Sequence, residues 1–367
     1  MIPLSRPVLG AEEVSAIAAV LATGRLVQGE QVAAFERAVA ERLGRKHALA
    51  VANGTAALRV ALEALGVSAG DRVLVPDLTW PSPAHAVLEL GAVPVLVDVD
   101  EHEWNVTPRS LATLEPSVLR GLRAAIAIDQ FGYPARAREL ERMLPGVPLL
   151  VDAACSLGSY TGEVPCGALG AIATHSFHPR KLLTTGEGGM CLTDDPELAA
   201  RIAELRNHGQ RAPGNFARGS GNHRLSEMAA AMGLVQLSRL SGMVEARARL
   251  AARYESALGE LSIQRCAPGA RPNYQTFGVL LPAGVDRDQT VAALRAREVE
   301  SGRLSYALHS LPQFAAQARD AQARGQRFDQ SSALAERGIA LPLWPGLSDA
   351  DQDRVIDALR AVLRERN

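Results

Sequence analysis

Aromatic residues are scarce in this chain of 367 residues, since Phe, Trp and Tyr together make up only 4% of it. Hydrophobic residues nevertheless reach 47%, so the core must be built mainly from Ala, Val and Leu. Neither sign of charge dominates, because the net charge is −1 and both signs are dispersed along the chain. The sequence therefore lacks the basic surface typical of nucleic-acid-binding proteins and the polybasic patch of membrane-surface proteins.

Cysteine is also rare, and its positions show no CxxC or zinc-ligand spacing; they are Cys155, Cys166, Cys191 and Cys266. This pattern predicts free thiols, no metal site and a cytoplasmic location. The N-terminus lacks the basic and then apolar pattern of a signal peptide, and no apolar run is long enough to span a membrane. We therefore expect a soluble protein without a nucleic-acid or membrane partner.

Short apolar runs predict seven strands, at residues 47–52, 72–75, 93–97, 124–128, 149–152, 171–177 and 190–193. Helical patterns lie between several of them, at residues 56–65, 83–90 and 136–143. This alternation predicts an α/β fold with a mostly parallel sheet that helices cover on both faces. The direction of the edge strand is not determined by the pattern.

Helical spacing is found at both ends of the chain. Before the first strand it connects Val14, Ile17 and Leu21, and then Val32, Phe35 and Val39. An Ala-rich helical stretch over 225–261 leads to a strand at 274–281 and helices near 288–297 and 348–364, the last with a capping pattern at Ser348 and Asp351. We predict a large domain over 1–245, including the N-terminal helical segment, and a smaller C-terminal α/β domain over 246–367.

Lys181 lies between an apolar strand and the glycine-rich run Gly186-Glu187-Gly188-Gly189. Asp152 ends another apolar strand, which is a costly place for a carboxylate without a cationic partner. Pyridoxal phosphate chemistry needs a lysine that forms a Schiff base and an Asp that holds the pyridinium nitrogen. To act as a base, Lys181 would need a pKa lowered by burial and by nearby cations such as Arg180. The alternatives are an exposed loop lysine and a helix-capping Asp.

A phosphate site is predicted where the first strand ends at Asn53-Gly54-Thr55-Ala56 and a helix begins. Glycine lets the backbone approach an anion, and the free N–H groups and the dipole of a helix start attract it. Ser176 would add a hydroxyl. Thr55 and Ser176 could instead be ordinary capping residues.

The order of these motifs resembles the DegT-type, sugar-modifying branch of the fold-type I aminotransferases over nearly the whole chain. Further matching blocks are Ile2-Pro3-Leu4-Ser5, Gly70-Asp71-Arg72-Val73, Gly91-Ala92-Val93-Pro94-Val95, Leu205-Arg206-Asn207-His208-Gly209 and Leu341-Pro342-Leu343. The resemblance implies a large domain built on a seven-stranded sheet. It also implies a pyridoxal 5′-phosphate-dependent aminotransferase, with pyridoxamine phosphate as an intermediate.

The same resemblance assigns roles to residues. Lys181 and Asp152 would be catalytic, and the cofactor would be bound by Gly54, Thr55, Ala56, Trp80, Asp152, Cys155, Ser176, Lys181 and Asn222. Trp80 would stack on the pyridine ring, unless it is a core tryptophan. Asn222 would reach the phosphate of a neighbouring subunit and make a homodimer with shared sites, unless it is only a turn residue. The substrate side could include His178, His208, Tyr306 and His309.

The implied reaction is a ping-pong transfer of an amino group from L-glutamate to a keto group of a nucleotide-linked sugar, in polysaccharide or antibiotic biosynthesis. Alternatives are a keto-cyclitol or another antibiotic-precursor ketone, a sugar dehydratase, and a cofactor-binding regulator without turnover. Lys181 argues against the dehydratase branch, where His replaces the lysine. Cys155 departs from the family, because many members carry Gln there to contact the ring oxygen of the cofactor. A second departure is Asp129-Gln130-Phe131-Gly132-Tyr133, where relatives more often have His-Leu-Tyr-Gly.

Overall fold

A computed structural model of the protein describes residues 1–365. Its helices are α1 (Ala11–Thr23), α2 (Glu30–Leu43), α3 (Gly54–Ala64), α4 (Ser82–Glu89), α5 (Pro108–Ala112), α6 (Pro116–Leu119), α7 (Ala137–Met143), α8 (Pro196–Leu205), α9 (Glu227–Ser238), α10 (Leu240–Ala257), α11 (Arg287–Ala296), α12 (Ala315–Ala323), α13 (Asp329–Arg337) and α14 (Asp349–Arg364). Its strands are β1 (His47–Val51), β2 (Arg72–Pro76), β3 (Leu78–Thr79), β4 (Val93–Val97), β5 (Leu122–Ile128), β6 (Leu149–Asp152), β7 (Tyr160–Thr161), β8 (Val164–Pro165), β9 (Ile172–Ser176), β10 (Gly189–Thr193), β11 (Gln210–Ala212), β12 (Asn215–Phe216), β13 (Ser262–Ile263), β14 (Ala270–Arg271), β15 (Phe277–Leu280), β16 (Gly302–Arg303), β17 (Tyr306–Ala307) and β18 (Gly338–Leu341).

A seven-stranded sheet forms the centre of the large lobe, in the order β1-β10-β9-β6-β5-β2-β4. The five strands from β9 to β4 pair in parallel, whereas β10 pairs antiparallel with both β1 and β9. The predicted mostly parallel sheet of seven strands is therefore confirmed. β10, which lies next to the edge strand β1, is the one strand of this sheet that runs in the opposite direction. β1 itself runs parallel to the other five strands.

Both faces of this sheet are covered, as expected for parallel strands with helical crossovers. Side chains of a strand alternate between its faces. Along β2 this sends Leu74 into one hydrophobic cluster and Val73 and Val75 into the other. The apolar runs in the sequence are continuous because both faces are buried.

The C-terminal ends of the parallel strands meet at one edge of the sheet. Asp152 and Ser176 close β6 and β9 at this edge. The turn from β1 into α3 reaches the same edge, because β1 runs in the same direction as those strands. The topology therefore brings together motifs that lie more than a hundred residues apart.

The smaller lobe has its own sheet, in the order β13-β15-β18-β16, and its own core around Tyr254, Phe277 and Leu294. The predicted strand and two helices of this region are present as β15, α11 and α14. Ser348 Oγ accepts a hydrogen bond from the Asp351 N–H at 3.1 Å, as the capping pattern predicts. The predicted helical stretch over 225–261 consists of two helices, α9 and α10, that meet at Arg239. The division of the chain after residue 245, which falls inside α10, stays a prediction.

The N-terminal helices are present, but only one buries the face that helical spacing suggests. Val32, Phe35 and Val39 of α2 are buried, whereas Val14 and Leu21 of α1 are 68% and 54% exposed. α1 contacts α9 on its other side, where Glu13 Oε1 accepts a hydrogen bond from Gln236 Nε2 at 2.6 Å. Val14 and Leu21 of the apolar stripe of α1 are therefore left uncovered by residues 1–365. None of the helices in residues 1–365 is both long enough and apolar enough to cross a bilayer.

Candidate active site

Asp152 ends β6, and Lys181 lies in the loop that follows the neighbouring strand β9; the two strands pair with Asp152 opposite Thr174. Asp152 is 5% exposed, and its Oδ1 accepts a hydrogen bond from the Ala154 N–H at 3.0 Å. Lys181 is half-buried, and its Nζ donates to Cys155 Sγ at 3.0 Å. The predicted lysine–aspartate pair is thus brought to one end of the sheet, with the Cys155 thiol in contact with the amine.

The electrostatics of Lys181 differ from the expectation. Burial by itself lowers the pKa of the Lys181 ammonium, and Arg180 acts in the same direction. The Cys155 sulfur and the Asp152 carboxylate outweigh both, so that the pKa of Lys181 is raised. Burial and Arg180 alone therefore do not produce the lowered pKa that a base would need, because the thiol and the carboxylate act against them.

The surroundings of Asp152 suit a carboxylate that binds a positively charged group. Burial raises the pKa of Asp152, while the Ala154 N–H and the Lys181 ammonium act against this rise. Within residues 1–365 no hydrogen bond reaches its second oxygen, Oδ2. A protonated ring nitrogen would supply the missing charge and hydrogen bond.

The turn from β1 into α3 forms an anion cradle. Asn53 Oδ1 accepts the Ala56 N–H at 2.8 Å, so the N–H groups left for an anion are those of Gly54 and Thr55. A Cβ added to Gly54 would lie 2.7 Å from the Cβ of Ser176, closer than real side chains come. Gly54 is therefore required by the approach of Ser176, which places a hydroxyl beside the start of α3.

Trp80 follows β3 and is 61% exposed, so it is not a core tryptophan. Tyr306 packs edge-on against it, with 5.6 Å between ring centroids and 75° between ring planes. Pairing of β3 with β17 holds the two rings together, because Thr79 lies opposite Tyr306. One indole surface is thus fixed by the smaller lobe while much of the ring remains accessible.

The structure does not bring every candidate to the lysine. Asn222 is exposed and its Oδ1 accepts the Arg224 N–H at 3.3 Å, in a segment that joins the end of β1 through the His223 carbonyl. His208 is exposed at a turn. His178 is half-buried, burial lowers its pKa, and its Nδ1 accepts the Arg180 N–H at 3.1 Å.

His309 has a partner that sequence reasoning missed. Its Nδ1 lies 2.6 Å from Oδ2 of Asp77, a fully buried carboxylate just after β2. Burial raises the pKa of Asp77 despite this contact. Asp77 carried the same signal as Asp152, an apolar strand that ends in Asp, but a sequence alone does not pair residues 232 positions apart.

Asn273 was also missed. Its Nδ2 donates to the carbonyls of Cys155 and Leu157, each at 2.9 Å, and so fixes the turn that follows Asp152. Nothing local marks Asn273, because its partners lie more than a hundred residues earlier in the chain.

The residues of this site fit pyridoxal phosphate. The cradle at Gly54 and Ser176 suits a phosphate, the free oxygen of Asp152 suits a pyridinium N–H, and Lys181 supplies an amine. No group of three or more His, Cys, Asp or Glu side chains in residues 1–365 could hold a metal ion.

The chain is similar to known proteins over nearly its whole length. A family model, the DegT/DnrJ/EryC1/StrS aminotransferase family, matches residues 7–360. The aminotransferase TlmJ from Streptoalloteichus hindustanus is 33% identical over 100% of this chain and 99% of its own, with a TM-score of 0.89. DesV from S. venezuelae is 31% identical over 98% of each chain, with a TM-score of 0.88. A DegT DnrJ EryC1 StrS aminotransferase from Brucella abortus is 32% identical over 95% of each chain, with a TM-score of 0.86.

Proposed function

Because this chain belongs to the DegT/DnrJ/EryC1/StrS aminotransferase family and is a pyridoxal phosphate-dependent aminotransferase, we propose that it aminates a nucleotide-linked keto sugar. L-Glutamate is the proposed donor. The two substrates enter in turn, so that the donor leaves its amino group on the cofactor before the acceptor binds.

One observation supports the proposal most directly. Asp152 ends β6 and Lys181 lies in the loop after the paired strand β9, whose last residue Ser176 makes the close contact with Gly54. A buried carboxylate with one free oxygen, a lysine amine and an anion cradle are the three groups that this cofactor needs. The three groups come from separate parts of the sequence, so a chance meeting of all three at one place is a poor explanation.

The binding roles follow from these contacts. Gly54 and Thr55 would donate their N–H groups to the phosphate, and Ser176 would add its hydroxyl. Asp152 Oδ2 would accept the ring N–H and keep that nitrogen protonated. Trp80, held by Tyr306, would restrain the ring plane by stacking. When bound, pyridoxal phosphate supplies an electron sink that stabilises the carbanion formed when a proton leaves the substrate α-carbon.

Lys181 would hold the cofactor and then move protons. Its Nζ must first lose the proton that Cys155 and Asp152 stabilise, since only the neutral amine forms a bond to an aldehyde. Once released, the neutral Nζ can take a proton from the substrate carbon and return it to another atom. The half-buried position limits its motion, so that both transfers occur at one place.

The choice of acceptor rests on the family and not on a particular contact. No contact of residues 1–365 favours a keto-cyclitol over a keto sugar, so the keto sugar remains the first acceptor to test. The dehydratase and the regulator without turnover are weaker candidates, because Lys181 and Asp152 are both present and interact electrostatically.

We also propose a homodimer that works in the cytoplasm. An exposed apolar surface on and near α1 would be covered by a second copy; its residues are Leu9, Val14, Leu21, Leu26 and Val27. Asn222 is exposed, which leaves its side chain accessible to a partner. The four free cysteines suit a reducing compartment.

The visible absorption spectrum of the purified protein, before and after excess L-glutamate, tests the donor half of the reaction. We expect the yellow form with the cofactor on lysine to bleach to the pyridoxamine form. Keto-sugar nucleotides added one at a time should then restore the original spectrum for the true acceptor. A yellow protein that glutamate leaves unchanged would exclude this donor, and restoration only by keto-cyclitols would exclude the sugar.

A further inference from the structure

The Cys155–Lys181 contact joins a nucleophile to an amine at a fixed distance. Sγ lies 3.0 Å from Nζ. The Asn273 amide holds the carbonyls of Cys155 and Leu157, and the Ser156 hydroxyl donates to Asp129 Oδ2 at 2.6 Å. These hydrogen bonds hold in place the backbone that carries the Cys155 side chain.

The other cysteines are in different surroundings. Burial raises the pKa of the Cys191 and Cys266 thiols to about 12 and holds that of Cys166 well above its ordinary value. These three remain protonated thiols, which react slowly with oxidants. Cys155 is half-buried, and its sulfur accepts a hydrogen bond from the Lys181 ammonium, so that a small oxidant can reach a sulfur in contact with an amine.

We propose that Cys155 and Lys181 form a reversible modification site for hydrogen peroxide, in which a sulfur–nitrogen bond locks the catalytic lysine. The modified enzyme could not hold its cofactor on Lys181, so oxidation would switch it off. This inference goes beyond the transamination itself, and it does not depend on the identity of the donor or the acceptor.

The bond forms in two balanced steps. The Cys155 thiolate attacks one oxygen of peroxide, the O–O bond breaks, and the leaving hydroxide takes a proton from the Lys181 ammonium to become water. Sulfur loses two electrons and becomes sulfenic acid. The neutral Lys181 amine then attacks this sulfur and displaces hydroxide, which leaves as a second water with one amine proton.

The first step prepares the second. The sulfur is one of the groups that raise the pKa of Lys181, and its negative charge disappears when it becomes sulfenic acid. Burial and Arg180 then lower that pKa and favour the neutral, nucleophilic amine. Two equivalents of an added thiol reverse the change, since the first displaces the amine and the second reduces the mixed disulfide.

Mass spectrometry of the holoenzyme tests this inference. The enzyme is treated with hydrogen peroxide as purified, and again after dialysis against hydroxylamine to remove the cofactor from Lys181. Free thiols are then alkylated and the protein is digested. We expect a Cys155 peptide joined to the Lys181 peptide, lighter than their sum by two hydrogens, with more of it after dialysis. Dithiothreitol should remove the joined species.

Three variants serve as controls. Cys266→Ser removes the other half-buried cysteine and should leave the joined peptides unchanged, whereas Cys155→Ser should abolish them. Lys181→Ala should leave a Cys155 sulfenic acid that dimedone traps. Peptides joined with an oxygen between sulfur and nitrogen, or an oxidised Cys155 beside an unmodified Lys181, would overturn the sulfur–nitrogen bond whatever the spectrum with glutamate shows.

Discussion

At the scale of single side chains, two charged residues are the candidates for the chemistry. Lys181 and Asp152 are separated by 29 positions in the chain, yet they share one edge of the sheet. Each has a pKa raised by its surroundings, Asp152 by burial and Lys181 by the thiol and carboxylate that outweigh burial. Shifted pKa values in two groups that interact with each other are typical of catalytic sites.

Lys181→Ala should abolish covalent capture of the cofactor. Borohydride reduction should then leave no pyridoxyl group on the protein, because the variant lacks the amine that bonds to it. Turnover should fall by at least about a hundredfold, the usual contribution of a general acid–base group. Continued covalent capture by the variant would move the attachment point to another lysine, and peptide mapping would locate it.

Asp152→Asn should retain the cofactor and lose turnover. The amide has nearly the same shape, but it carries no charge to keep the ring nitrogen protonated, so we expect kcat to fall by about a hundredfold or more. Asp129→Asn is the matched control, because Asp129 ends the neighbouring strand and bonds to Ser156 and the Ala135 N–H. Steady-state kinetics should show a large loss in the first variant alone. Near-normal kcat for Asp152→Asn would exclude the proposed role.

At the scale of elements, two contacts position the residues of the site: the turn from β1 into α3, and the contact between the two lobes, which we call the seam. The turn brings α3 against the end of β9 through Gly54 and Ser176. The seam joins the two lobes where β17 pairs with β3 and where His309 meets Asp77. The turn and the seam each attach a loop to the end of a strand, and the strand positions the loop.

Gly54→Ala should weaken cofactor binding. The added Cβ would lie 2.7 Å from the Cβ of Ser176, so the helix start must shift away from the phosphate. We expect a cost of ~1–3 kcal/mol, seen as a higher dissociation constant for pyridoxal phosphate in a fluorescence titration. Gly242→Ala is the control, because a Cβ there meets nothing within 4 Å in the exposed face of α10. It should stabilise the helix by ~0.5–1 kcal/mol and leave cofactor affinity intact.

The seam should make stability depend on pH. Burial alone would lower the pKa of His309, but the Asp77 carboxylate outweighs it and the pKa is raised. The folded protein therefore binds this proton more tightly than the unfolded chain. The resulting stability is complete below the ordinary His pKa and is lost as the pH rises through the raised value.

His309→Gln measures this contribution, since it removes the charge. We expect the free energy of unfolding in urea to drop by roughly 1.5–3 kcal/mol at about pH 6, with a smaller drop at about pH 9. His102→Gln is the control, because His102 is exposed and its ion pair with Glu101 is screened by solvent. An equal loss for His309→Gln at both pH values would mean that the pair stabilises the fold without its proton.

At the scale of the whole molecule, two exposed features of residues 1–365 point to a second copy. The apolar residues on and near α1 are exposed, and Asn222 is exposed although its Oδ1 accepts the Arg224 N–H. A symmetric dimer that covers the first and uses the second would explain both features.

Mixed variants should reveal a shared site. Lys181→Ala and Asn222→Ala, each inactive alone, should form hybrid dimers in which one of the two sites is intact. We expect about a quarter of the wild-type activity after complete random exchange of subunits. A mixture of Lys181→Ala with Asp152→Asn should stay inactive, because both residues belong to the same chain's half of the site. No recovery in the first mixture, with exchange shown by native mass spectrometry, would contradict the shared site.

The sequence by itself determined the architecture and much of the site. The seven strands, their helical crossovers and the order of the Gly54, Asp152, Ser176 and Lys181 motifs follow from local patterns, because burial of both sheet faces and helix starts leave local signatures. A strand that ends in Asp also revealed Asp152.

Only the tertiary structure decided which groups touch. It placed Cys155 against Lys181 and so reversed the expected pKa shift, paired Asp77 with His309, and left the stripe of α1 exposed. The physical reason is distance along the chain. Contacts across 26 or 232 positions depend on how whole strands and lobes pack, and no local pattern of residue types encodes that.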